Sequence, residues 1–200
     1  MTTAQQFPQF TFEDFLDYED AYGTPFELSA DGFLVPMPAP DQEHELIVSY
    51  LDRLFTTEIE RLGYSWFPSR RAIEIPVGGF FKGRRPDLSI IELTPDRNRD
   101  RAIYQVPKLV IEIASAKWSE DLKGKTHDYA LLKVPEYWVI DYRGQIPEKE
   151  CLRGKGIKTI VFTLEGFRYK RQEFLGDEVI PCAAFSELAL TTSQIIERRR

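Results

Sequence analysis

The run Leu109–Ile113 (LVIEI) constrains the fold more than any other stretch of the chain. Five residues are too few for a buried helix. A short run this apolar belongs to a strand covered on both faces, at the centre of a sheet. Yet Glu112 sits inside it. A carboxylate in such a strand costs several kcal/mol unless it is paired, hydrogen-bonded or bound to a metal. Asp87–Leu93 (DLSIIEL) repeats the oddity, opening on an acid directly after Pro86, and Glu136–Tyr142 (EYWVIDY) is a third buried run. If the strands bearing Asp87 and Glu112 are neighbours, both carboxylates aim at one point. Two hard oxygen donors with open positions for water and phosphate suit Mg²⁺ or Mn²⁺. The simpler alternative is that Asp87 satisfies backbone amides at a strand start and Glu112 pairs with a nearby Lys or Arg.

The rest of the chain supplies elements to flank that sheet. Thr11–Tyr18 reads as a capped helix burying Phe12, Phe15 and Leu16. Apolar runs on either side of Asp31-Gly32 read as a hairpin, followed by an extended connector through Pro36, Pro38 and Pro40. Asp41 then caps a helix with apolar residues Leu46, Ile47, Tyr50, Leu51 and Leu54 that ends near Gly63. Strands are expected at 64–67 and 72–77, with a turn at Gly78-Gly79. A helix over 119–133 turns Leu122, Tyr129, Leu131 and Leu132 inward. Strands at 159–164 and 167–174 form a late hairpin, and a helix over 186–198 closes the chain. This order gives an α/β (α+β) domain with a mixed central sheet flanked by helices. One domain over 11–200 is expected, preceded by a flexible tail at 1–10.

Composition narrows the class. With 42% hydrophobic residues the chain can build a core, and no run of about 18 apolar residues offers a membrane span. No secretory signal is visible, and Cys151 and Cys182 form no CxxC motif, which suits a reducing cytoplasm. The net charge of −6 is unevenly spread. Residues 1–50 carry ten acids and no Lys or Arg, so the remainder is +4. An acidic total argues against a DNA-coating protein, yet leaves room for a local basic groove. Lys82, Arg84 and Arg85, then Arg97, Arg99 and Arg101, and the loop bearing Lys149, Arg153, Lys155 and Lys158 are its candidates. His127, without a Cys partner or a second spaced His, makes a poor zinc ligand.

Pro86-Asp87 followed by Glu112-Ile113-Ala114 resembles the PD-(D/E)XK nuclease superfamily. The finer pattern is similar to the bacterial Uma family of putative restriction endonucleases. Phe26-Glu27-Leu28 with Asp31-Gly32, His44, Arg85-Pro86-Asp87-Leu88 and Val110–Ser115 carry that likeness. So do Asp121, Lys125, Tyr129-Ala130, Pro135–Trp138 and Asp141. Together they cover about residues 10–190.

The resemblance implies a restriction-endonuclease-like core and a metal-dependent endonuclease acting on DNA. Asp87 and Glu112 would hold Mg²⁺ (or Mn²⁺), helped by the Ile113 carbonyl, with Glu27 as a third acid near the site. The superfamily's lysine would fall at Ala114, which has no amine. The family pattern supplies it from the following helix, which points to Lys125 and leaves Lys117 and Lys123 as rivals. His44, Arg84, Arg85, Ser115 and Lys117 are candidate substrate contacts, although His44 also suits helix packing. Cutting both strands of a duplex suits a homodimer. A nuclease-fold module without catalysis, binding nucleic acid or a protein, stands as the alternative, as does a structural domain whose buried acids are simply paired.

Overall fold

Why Leu109–Ile113 is apolar on both faces is clear from its place in the sheet. In a computed structural model, which describes residues 9–22, 25–93, 101–115 and 117–198, it is β7 of a six-stranded sheet ordered β10-β9-β8-β7-β6-β3. The other members are β3 (Trp66–Ser69), β6 (Leu88–Glu92), β8 (Glu136–Asp141), β9 (Lys158–Glu165) and β10 (Arg168–Phe174). The β7–β8 pair is parallel and every other pairing is antiparallel, so the sheet is mixed. Side chains of β7 alternate between two cores. Leu109, Ile111 and Ile113 meet Ile47, Leu51 and Phe55 of α2 (Gln42–Leu62), while Val110 and Ala114 pack with Tyr129 and Ile73.

A second sheet, ordered β2-β1-β5-β4, comprises β1 (Phe26–Leu28), β2 (Leu34–Pro36), β4 (Ile73–Val77) and β5 (Phe80–Arg84). Helix α1 (Phe12–Tyr22) covers it through Phe12, Phe15 and Leu16. The approach depends on Gly83. A Cβ there would lie 2.8 Å from the Phe15 ring. Helix α2 starts at Asp41, whose side chain accepts from the His44 N–H, and stops at Gly63 in the left-handed region (φ 68°). That cap fixes the position of His44.

After β7 the chain enters a π-helical turn, Glu120–Gly124, which runs directly into α3 (Lys125–Leu131). The Lys125 N–H reaches back five residues to the Glu120 carbonyl. Such widened turns are rare and often lie at functional sites.

Several expectations need correction. Leu131 is exposed rather than inward. Leu131 lies two positions from buried Tyr129, which on a helix is close to the opposite face. The closing helix is shorter than 186–198. Thr191 caps α4 (Thr192–Glu197) through a capping box with Gln194, and the residues before it form β12 (Leu190–Thr191), paired with β11 (Val179–Ile180). Of the expected tail, residues 1–8 lie outside the described residues, but Phe10 is tied down, its N–H donating to the Gly32 carbonyl at 2.8 Å. Arg97 and Arg99 also lie outside the described residues.

Candidate active site

Strands β6 and β7 run antiparallel with Leu88 opposite Ile111, so Asp87 stands beside Glu112 one step along the ladder. The Asp87 carboxylate is fixed on both oxygens. Oδ2 accepts the Ile113 N–H at 2.7 Å, and Oδ1 lies 3.1 Å from His44 Nε2. The backbone-amide role expected for a strand-start Asp is thus real, and it orients the group rather than consuming it. Each carboxylate oxygen has two lone pairs, so one remains on each.

Glu112 is 2% exposed. Its Oε1 accepts from the Tyr129 hydroxyl at 2.9 Å and its Oε2 lies 2.8 Å from Lys125 Nζ. Lys125 is also buried, within 3.3 Å of Asp121 Oδ1 and 3.5 Å of Glu27 Oε1. One amine therefore sits among three carboxylates contributed by β7, the π-helical turn and β1. Of the three rival lysines only Lys125 touches Glu112. Lys123 faces outward toward Glu150 (3.4 Å), and Lys117 is exposed on the cleft wall.

Burial and charge set the protonation states. Burial pushes the Glu112 carboxyl well above its usual range, against the pull of Lys125. Burial likewise raises Asp121 to about 6, again opposed by Lys125 and reinforced by the Asp87 charge. For Lys125, burial works against the charge, but Glu112, Glu27 and Asp121 outweigh it and hold the ammonium well above its ordinary value. Burial and the adjacent Glu112 keep Tyr129 a phenol, hence a donor. His44 loses to burial but gains more from its hydrogen bond and charge interaction with Asp87, so its pKa is raised above 6.5.

A second layer holds these groups. Arg84 bridges Glu27 (2.8 Å), Asp128 (2.7 Å) and Glu120 (2.6 Å), and Lys82 meets Asp128 at 2.9 Å. Arg84 was expected to contact substrate. With its guanidinium committed to three carboxylates, it instead braces Glu27 against the helix that carries Lys125. Arg85 turns to Glu19, while its backbone N–H approaches Glu27 Oε1 at 3.4 Å. Asp128 is a structural partner, and Asp141 accepts from the Gln145 and Ile146 N–H groups at 2.9 Å. Of the expected basic loop, Lys158 is buried against Glu173 at 2.9 Å and Arg153 pairs with Glu178 at 2.5 Å.

Glu27, Asp87, Glu112, Glu120 and Asp121 line one cleft of about 550 Å³, together with His44, Lys125, Ser115, Lys117, Arg85 and the segment Val35–Pro40. Sequence reasoning did not single out three participants as site groups. Asp121 entered only as part of the family pattern, Tyr129 was read as core, and Gln145, whose side chain donates to the Ala114 carbonyl at 2.8 Å, carried no motif. Ala114 itself is fully buried, and the Lys125 amine comes from the next helix instead.

The donor set fits a hard divalent cation. Its available atoms are carboxylate and carbonyl oxygens, and Glu27, Asp87, Glu112, Glu120, Asp121 and Asp128 outnumber Lys82, Arg84 and Lys125. Among the described residues no three His, Cys, Asp or Glu side chains close into a cage by themselves. An ion here would keep positions for water or phosphate.

A solved structure shares this fold. The crystal structure of a putative nuclease belonging to DUF820 from Anabaena variabilis ATCC 29413 matches with a TM-score of 0.67 over 92% of this chain and 97% of that one, at 18% identity. No curated protein matches the chain. The model of Uma2, described as a putative restriction endonuclease, matches residues 12–193, a span that begins at α1 and ends in α4. That span holds every group of the cleft, and the chain belongs to the Uma2 family.

Proposed function

We propose that the protein is a divalent-metal-dependent endonuclease that hydrolyses DNA phosphodiester bonds. The observation that carries this reading is the meeting of Asp87 and Glu112, from adjacent antiparallel strands, with the Lys125 amine in one cleft open to solvent. A structural domain has no need to aim both carboxylates at a cleft and leave lone pairs on each.

Asp87 and Glu112, with the Ile113 carbonyl, would hold Mg²⁺ or Mn²⁺. Once bound, such an ion supplies Lewis acidity to a phosphoryl oxygen and lowers the pKa of a water. The remaining work falls to the chain. The Ile113 amide and His44 orient Asp87, and Tyr129 orients Glu112, in the manner of outer-shell groups that fix ligating carboxylates. Lys125 carries positive charge in a desolvated site, where it offsets the negative charge that grows on the phosphate as the bond breaks. Arg84 keeps Glu27 and the Lys125 helix in register.

The test is metal titration with a DNA cleavage assay on wild type, Asp87→Ala and Lys125→Ala. Cleavage should require Mg²⁺ or Mn²⁺ and be lost in Asp87→Ala. Unchanged metal-dependent cleavage by Asp87→Ala would refute the assignment.

A further inference from the structure

The cleft has a wall that hydrolysis alone does not explain. The segment Pro36–Pro40 leaves the end of β2 and runs along the same cavity as the acids, and Val35, Pro36, Met37 and Pro38 give that side an apolar face. The segment is anchored at both ends. The Lys117 amine lies 3.4 Å from the Pro36 carbonyl across the cleft, and Asp41 accepts from the Tyr142 hydroxyl at 2.6 Å and meets Arg143 at 2.7 Å. Prolines fix φ, so such a strap is stiff before anything binds.

From these features we propose that the DNA strand taken by this site is unpaired, lying between the Pro36–Pro40 strap and the Ser115–Lys117 side. The proposal rests on the nuclease reading and names its substrate class.

Three observations support it. The first is depth. Glu112 is 2% exposed and Lys125 is 6% exposed at the floor of a cavity of about 550 Å³. A phosphodiester must descend to that floor with its sugar and base, and a cavity of this size matches small-molecule pockets rather than a length of double helix. The second is the chemistry of the wall. Bases in a duplex hide their faces by stacking, so only an unpaired base can lay its face on Val35, Met37 and the proline rings.

The third is charge. Proteins that grip duplex backbone do so with several cations available to phosphates. Here the arginines on the rim face carboxylates: Arg70 meets Glu45 at 3.0 Å, Arg143 meets Asp41 at 2.7 Å, and Arg85 meets Glu19. Lys117 differs, because its partner is the neutral Pro36 carbonyl. An incoming phosphate displaces that contact without breaking an ion pair. The geometry thus supplies one phosphate grip beside one apolar wall, which matches a single strand.

Fluorescence anisotropy with Ca²⁺ replacing Mg²⁺, and cleavage with Mg²⁺ or Mn²⁺, compare three probes: a labelled single strand, the blunt duplex of the same sequence, and a duplex with splayed ends. The single strand and the splayed arms should bind at least about tenfold tighter than the blunt duplex, the scale of one base contact, and should be the parts cut. Lys117→Gln, an exposed change that leaves folding intact, should lower the dependence of log Kd on log salt by about 0.7 for the single strand. Met37→Ala should weaken single-strand binding with that slope unchanged. Blunt duplex bound and cut as well as the single strand overturns the proposal while the nuclease reading stands. Preferred binding of the single strand without cleavage keeps the proposal and removes the nuclease reading. Binding and cleavage of none of the probes removes both.

Discussion

Asp121→Asn should make the metal-free protein more stable at neutral pH while impairing the site. Asp121 is 6% exposed, and burial raises its pKa from 3.8 to about 6 despite the Lys125 ammonium 3.3 Å away. Below pH 3.8 the carboxyl is protonated in both the folded and unfolded chain and contributes no pH-dependent term. Between 3.8 and about 6 the unfolded chain releases its proton first, so stability falls as pH rises. Above about 6 the cost is complete. At 1.36 kcal/mol per pH unit of separation it amounts to about 3 kcal/mol. An amide mimics the neutral carboxyl and removes that cost.

Urea denaturation in EDTA, at pH 7.5 and again near pH 3.5, should show Asp121→Asn ahead by up to about 3 kcal/mol at the higher pH and level with wild type at the lower. In thermal scans that corresponds to about 6–12 °C for a domain of this size. Cleavage should fall, because Lys125 loses one of the carboxylates that position it. A variant that is less stable than wild type at pH 7.5, or that differs equally at both pH values, refutes the reasoning: the Lys125 contact would then outweigh the burial of Asp121.

Other substitutions test the remaining contacts. Lys125→Met leaves Glu112, Glu27 and Asp121 without their shared cation and should cost about 3–5 kcal/mol at pH 7.5 by urea denaturation. That cost should shrink in acid, as the carboxylates take up protons. Tyr129→Phe deletes the 2.9 Å hydrogen bond to Glu112 and should weaken Mg²⁺ binding about 10–100-fold by calorimetry, with the fold intact. Arg84→Lys keeps the charge but cannot span Glu27, Asp128 and Glu120. It should lower stability and the cleavage rate while leaving Kd for DNA unchanged; a selective loss of DNA affinity would restore Arg84 to substrate contact.

The central strands were legible because their signal is local. LVIEI, DLSII and EYWVID are apolar runs of strand length, and the helix from Asp41 to Gly63 has both its cap and its stop written in single residues. Asp87 and Glu112 stood out because charge inside such runs demands an explanation. The lysine was harder. Its position depends on the π-helical turn at Glu120–Gly124, and a pattern of 3.6 residues per turn cannot say where a wider turn lies. Tyr129 looked like core and is core, yet its hydroxyl points at Glu112. Nothing in a sequence marks which end of a buried tyrosine carries the function. The strap was visible as three spaced prolines, but that they face Asp87 is a matter of tertiary placement alone.

The uneven charge of the chain has its explanation in the same contacts. Six arginines of the basic remainder find carboxylates within the acidic first quarter: Arg84 with Glu27, Arg85 with Glu19, Arg101 with Asp17, Arg70 with Glu45, Arg143 with Asp41 and Arg198 with Glu43. The split recorded in the sequence is therefore spent largely inside the molecule, where acids of the first elements dock onto cations of the later ones. Arg84–Glu27 is largely buried, but exposed pairs such as Arg70–Glu45 and Arg101–Asp17 contribute little stability each, about 0–1 kcal/mol. Their larger effect is on the outer field, since an arginine already facing a carboxylate attracts phosphate weakly. Around the cleft, what remains for a nucleic acid is the Lys125 ammonium at the floor and Lys117 at the wall, beside carboxylates whose oxygens suit a divalent cation. Binding to such a site should depend on the metal more than on a basic surface. Removing the metal should then release DNA from the wild-type protein, whereas a protein relying on surface arginines would hold it.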